Sequence, residues 1–198
     1  MRHLHDRVTI FLDRDGTLNH DIGYVTSPDA LTLFDDAVDA VRRLNHAGSQ
    51  VILVTNQSAV GRGLMSLADL DAIHRRLKDM LRAGGAHLDG IVFCPHQPEA
   101  GCRCRKPASG LIDQAATIFD IDMHRSYVIG DKRTDMELAV HVGAVGVLVT
   151  TSPFGQQALR EVETGRLCVG AVASNLSGAV DWILENSRMR LRQKSVGS

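Results

Sequence analysis

Asp13 and Asp15 stand one residue apart in the run Phe11-Leu12-Asp13-Arg14-Asp15-Gly16-Thr17-Leu18-Asn19. The β-branched and aromatic stretch Val8-Thr9-Ile10-Phe11-Leu12 reads as a buried strand, and Gly16-Thr17 as the turn that leaves it. Alternate strand residues point to opposite faces, but a strand end followed by a loop can bring both carboxylates to one pocket. Such a pair suits a hard cation such as Mg²⁺, and one acid can attack phosphorus while the other moves protons. A polar turn that merely closes a strand is the plainer reading of the same residues.

Further groups with chemistry to offer lie downstream. Cys94, His96, Cys102 and Cys104 are spaced C-x-H-x₅-C-x-C. Three thiolates and one imidazole make a closed tetrahedral set for structural Zn²⁺, with no open position for catalysis; reduced free thiols are the alternative. Cys168 is left over and reads as a small core residue. Of the nine histidines only His96 has ligand spacing, and His74 and His141 read as surface or boundary residues. Thr55-Asn56-Gln57-Ser58 offers hydroxyls and turn amides to a phosphate, or is an ordinary polar turn. In Gly130-Asp131-Lys132-Arg133-Thr134-Asp135 the glycine permits a tight turn, and both acids could join Asp13 around a divalent cation unless Asp135 simply caps a helix. Arg105-Lys106-Pro107 follows Cys104 directly. Arginine grips phosphate oxygens by its fork and lysine as a point charge, although most such pairs are solvated surface.

The elements that must position these groups alternate. Short β-like runs at 8–12, 51–54, 90–93, 126–129 and 145–149 are separated by helical patterns at 37–47, 67–83, 110–119 and 134–142. Ser66 followed by Asp69 reads as an N-cap with an acid three residues on. A weaker strand near 167–173 and a helix near 176–185 complete an α/β domain. Its sheet is parallel, with helices on both faces. Residues 1–186 read as one domain and 187–198, with Arg188, Arg190, Arg192 and Lys194, as a solvated basic tail. Each chemical motif follows a strand, and open α/β sheets bind ligands at the carboxyl ends of their strands.

Taken in order, these four motifs resemble the haloacid dehalogenase superfamily of phosphatases, a Rossmann-like fold, over about residues 8–150. The resemblance implies that Asp13 is a nucleophile forming an aspartyl-phosphate and Asp15 the general acid, then base. It also implies Mg²⁺ held by Asp13, Asp131 and the backbone carbonyl of Asp15. Thr55, Asn56 and Lys106 would neutralise the transferring phosphoryl group, as the charge on its oxygens demands. The zinc loop would pin Arg105 and Lys106. No segment is long enough for a cap domain, so the loop Asn19–Val25 must supply specificity. Its Asp21, Ile22, Gly23 and Tyr24 are candidate substrate contacts, with Thr55, Asn56, Gln57, Ser58, Arg105, Lys106 and Lys132.

Within the capless, zinc-containing branch, Gly23-Tyr24-Val25 and Gly61-Arg62-Gly63 after Thr55-Asn56-Gln57-Ser58 resemble heptose 1,7-bisphosphate 7-phosphatases. The implied substrate is a small sugar bisphosphate, cleaved at C7 while Arg105 and loop residues grip the anomeric phosphate, a second anion that suits the Arg105–Lys106 pair and Lys132. The implied setting is nucleotide-activated heptose biosynthesis. The short segment between His96 and Cys102 is instead like that of histidinol-phosphate phosphatases, the rival. A net charge of −1 and 4% aromatic content argue against a nucleic-acid partner. No apolar run approaches the ~20 residues of a membrane span, and the N-terminus has no signal-peptide core. A cytoplasmic monomer is the expectation.

Overall fold

The computed structural model describes residues 7–196. Six strands, β1 (Thr9–Leu12), β2 (Gln50–Asn56), β3 (Gly90–Cys94), β4 (Ser126–Gly130), β5 (Val145–Val149) and β6 (Ala171–Ala173), pair in the order β3-β2-β1-β4-β5-β6. Every pairing is parallel. The crossovers that parallel strands require are made by α1 (Ala37–His46), α3 (Leu67–Ala83), α4 (Gly110–Ala116), α5 (Arg133–Val142) and α6 (Pro153–Glu163). A single-turn α2 (Ser58–Gly61) follows β2, and α7 (Leu176–Val196) closes the chain.

Strand alternation divides the core into two layers. Ile10 and Leu12, with Val51 and Leu53, pack against Leu44 of α1, Ile73 of α3 and Val180 of α7. Phe11, Ile52 and Val128 face the other way, towards Leu111 of α4 and Leu138 of α5. Among the described residues, helices therefore cover both faces of the sheet. From β1 the chain winds outwards to β3, then returns to β4 on the other side of β1. That reversal is where doubly wound sheets open a crevice, and Asp13 and Asp131 end the two strands that flank it. Among the described residues no helix is long and apolar enough to cross a membrane.

Three elements differ from the sequence reading. The first is α6, which sequence patterning missed because Pro153 and Gly155 look like helix breakers. Pro153 sits in the first turn, where it loses no intrahelical bond, and Ser152 Oγ caps the helix by accepting from Gly155 N at 3.1 Å. A Cβ on Gly155 would meet Val149 O at 2.4 Å, so only glycine lets the helix start this close to β5. The second is α7, which continues to Val196 and does not end near 185, as no glycine or proline interrupts 186–196. Residues 197–198 of the expected tail lie outside the described residues. The third is β6, which begins at Ala171 and not at 167. The cap of α3 forms as read, with Ser66 and Asp69 bonding reciprocally.

Candidate active site

Asp13 is fixed by the strand ladder: its N–H donates to Ile129 O at 2.9 Å, and its side chain is buried. Gly16 follows at φ +85°, and a Cβ there would lie 2.1 Å from Asp131 Oδ2, so the turn leaves the space that Asp131 fills. Lys106 Nζ lies 2.8 Å from Asp13 Oδ1 and 2.6 Å from Asp135 Oδ1, and donates to Val54 O at 2.8 Å. Lys132 Nζ donates to Asp15 O and to Asp21 Oδ2, each at 3.1 Å, and lies 3.3 Å from Asp131 Oδ1.

Burial alone would push the Asp13 carboxyl up, but the Lys106 and Lys132 ammonium groups hold it below the usual carboxylate range. Asp13 is therefore ionised. Burial pushes Asp131 up to about 7. Lys132 opposes that shift, and the neighbouring Asp13 and Asp135 carboxylates reinforce it. Gly16→Ala is expected to displace Asp131 and cut turnover sharply. Gly165→Ala, at φ +70° in open space, should show only the backbone cost of about 1–2 kcal/mol. Thermal melts and rates on both variants separate the two effects.

Asp13, Asp131 and Asp135 each bring an oxygen within 4.8 Å of the others, a set able to hold a metal ion. Of the predicted ligands, Asp13 and Asp131 belong to this set, while the Asp15 carbonyl is linked to Asp131 through Lys132 Nζ, which donates to both. The Lys132 ammonium already addresses two of them, so the arrangement is built for positive charge, and hard oxygen donors suit Mg²⁺. Asp135 meets both roles that the sequence left open, since it belongs to this metal-capable set and also caps a helix, and it has a third in holding Lys106. It accepts from Lys132 N at 3.0 Å, which caps α5, and it anchors Lys106.

Asp15 is held through both carboxylate oxygens. Arg14 donates to them from Nε and Nη2 at 2.9–3.1 Å, Asn19 Nδ2 donates at 2.9 Å and Gln57 Nε2 at 2.8 Å. Arg14 itself is fully buried, a positioning role the sequence reading did not assign. Thr55 Oγ1 also accepts from Gln57 Nε2, at 2.8 Å. Asn56 grips the backbone of Lys106 from both sides, accepting from its N–H at 3.1 Å and donating to its carbonyl at 3.3 Å. The end of β2 and Gln57 just after it thus position Lys106 and Asp15.

On the other side of Lys106, Cys94, His96, Cys102 and Cys104 converge. Sulfur pairs stand 3.1–3.5 Å apart, and His96 Nδ1 lies 3.2 Å from Cys104 Sγ. These separations are far beyond the ~2.05 Å of a disulfide. All four donors fall within 4.8 Å of one another, a set that fits a tetrahedral metal.

A cavity of about 830 Å³ opens over these groups, within the usual range for small-molecule sites. Asp21, Gly23, Tyr24, Thr55, Asn56, Gln57, Ser58, Arg105, Lys106 and Lys132 all line it. Ile22 does not; its side chain is exposed beside the rim. The sequence reading missed the wall supplied by Phe154, Gln157 and Glu161, since α6 itself was missed, and did not assign Arg133 of α5 to the site. Phe154 places its half-exposed ring 5.0 Å from Lys132 Nζ. Two further expectations are corrected. His74 is buried against Phe93, and burial, then the Arg14 charge, lower it to about 4, so it is neutral. Its place in the stripe Leu70, Ile73, Leu77 was the available signal. Cys168 is exposed and not in the core, just outside buried Leu167.

Known proteins share this arrangement. The HAD-hydrolase-like family model matches residues 103–177. The D-glycero-D-manno-heptose-1,7-bisphosphate 7-phosphatase of Thermosynechococcus vestitus is 39% identical over 188 residues, covering 89% of this chain and 95% of that one. The D-glycero-beta-D-manno-heptose-1,7-bisphosphate 7-phosphatase of Escherichia coli K12 is 36% identical over 184 residues, covering 89% and 88%. The crystal structure of D,D-heptose 1,7-bisphosphate phosphatase from B. bronchiseptica, complexed with magnesium and phosphate, superposes with a TM-score of 0.83. It is 35% identical, covering 90% of this chain and 99% of that one.

Proposed function

The chain belongs to the D-glycero-D-manno-heptose 1,7-bisphosphate 7-phosphatase family of haloacid dehalogenase-like hydrolases, and from that membership we propose that it removes the C7 phosphate of this sugar bisphosphate. What supports the reading most is the convergence of ionised Asp13, paired Lys106 and the Asp131 oxygens at the floor of a cavity with a cationic lining. A cationic monophosphate such as histidinol phosphate would meet Arg105, Lys132 and Arg133 there, which disfavours that alternative.

In the proposed mechanism Asp13 attacks the C7 phosphorus and the phosphorus–oxygen ester bond breaks. Asp15 gives its proton to the departing sugar oxygen, and heptose 1-phosphate leaves. The Asp15 carboxylate then takes a proton from the water that attacks the aspartyl-phosphate, releasing phosphate and restoring Asp13. Lys106 meets negative charge building on the phosphoryl oxygens, helped by donors of the turn after β2. Asp13, Asp131 and the Asp15 carbonyl would hold Mg²⁺, which would supply further neutralisation of the phosphoryl charge. Following the reaction by ³¹P NMR tests the site of cleavage. The C7 resonance should vanish while the anomeric one persists; early loss of the anomeric signal would overturn the assignment.

Zinc is proposed for the cysteine–histidine cluster, as the mechanical anchor of the Arg105–Lys106 loop. Chelation, or Cys102→Ser, is expected to lower the melting temperature and the activity together, because metal binding there is folding free energy. Metal analysis of the purified chain should find close to one zinc per molecule; a value near zero contradicts this role.

A further inference from the structure

Four cations line the cavity; two are committed to its floor, and Arg105 stands on the cysteine–histidine loop, donating to His96 O at 3.3 Å. Lys106 is enclosed between Asp13 and Asp135, and Lys132 closes over Asp131, Asp21 and the Asp15 carbonyl. Arg133, at the start of α5, is different. Its side chain is half exposed, with Nη1 2.8 Å from Glu161 Oε2 on α6 and Nε 2.7 Å from Glu137 Oε1 one turn along. Both Arg133 and Glu161 face the cavity. A carboxylate at the mouth of a site for a doubly phosphorylated sugar repels its substrate unless a cation covers it.

We propose that Arg133 is a specificity-determining residue that takes the non-reacting phosphate of the substrate, exchanging Glu161 for phosphate oxygens while Glu137 steadies its stem. The inference rests on the sugar-bisphosphate reading above. A guanidinium fork can bind two phosphate oxygens at once, and a phosphate dianion attracts it more strongly than one carboxylate does. Because the group is half exposed, the exchange buries no new charge. A staple between α5 and α6 is the competing account, and an exposed pair of that kind contributes only about 0–1 kcal/mol.

The test compares Arg133→Met and Glu161→Gln on heptose 1,7-bisphosphate and on heptose 7-phosphate, which lacks the second phosphate. Arg133→Met should raise KM for the bisphosphate about 10- to 100-fold, the range of one or two charge-assisted hydrogen bonds, with kcat little changed. Its KM for the monophosphate should not move. Glu161→Gln should lower KM for the bisphosphate by about two- to fivefold. No effect of Arg133→Met, an equal effect on both substrates, or a rise in KM in both variants would overturn the proposal. Wild-type protein that shows no preference for the bisphosphate would instead sink the substrate reading, and this inference with it.

Discussion

Asp13→Asn is expected to lower turnover by at least about four orders of magnitude while the chain stays folded and keeps its zinc. An amide cannot form the acyl phosphate, and no other carboxylate holds the same position. Asp15 is turned into the Arg14–Asn19–Gln57 network, and Asp135 is tied to Lys106 and the start of α5. The fold should tolerate the change. Removing one of three crowded acids leaves Lys106 paired with Asp135 and relieves Asp131 of a like-charged neighbour. Circular dichroism and a zinc assay beside the rate measurement separate chemistry from folding. Residual activity within a hundredfold of wild type would assign the nucleophile elsewhere.

Lys106→Met should damage both properties at once. The ammonium is buried between two carboxylates, so its loss strands Asp13 and Asp135 as uncompensated charges, at a cost of about 3–5 kcal/mol. The melting temperature should fall and turnover should drop by roughly a thousandfold, since one fixed cation facing the phosphoryl group is lost. Adding Asp135→Asn removes one of the two stranded charges and the repulsion between them. The double variant is expected to recover much of the stability and none of the activity, a non-additivity that contacting residues allow. Recovery of activity with stability would mean that Lys106 acts only as a structural ion-pair partner.

Most of this site was legible because its signals are local. A strand, an acid, a turn and a second acid lie within nine residues at Phe11–Asn19, and a four-donor metal set spans eleven from Cys94 to Cys104. Strand alternation and the cap at Ser66 gave the layers around them. What escaped depends on contacts distant in sequence. Asp135 reads as a helix cap from its neighbours alone, and its second role depends on Lys106, 29 residues earlier. Arg14 sits between the two acids with nothing nearby to show that Gln57 would receive it. The wall formed by Phe154 and Glu161 was hidden because Pro153 and Gly155 argue against a helix. Their positions, in the first turn and against the β5 carbonyl, make them part of its start. Lys106, read as facing both phosphates of a substrate, is enclosed between Asp13 and Asp135, a contact its neighbours in sequence do not reveal.

The most direct test of the account is kcat/KM, with Mg²⁺ present, for both anomers of heptose 1,7-bisphosphate and for histidinol phosphate. Turnover of heptose bisphosphate far above that of histidinol phosphate is predicted, because the cavity pairs the Asp13–Lys106 floor with cations left over for a second anion, and the ratio between the anomers identifies the natural substrate. Preferential turnover of histidinol phosphate would contradict it.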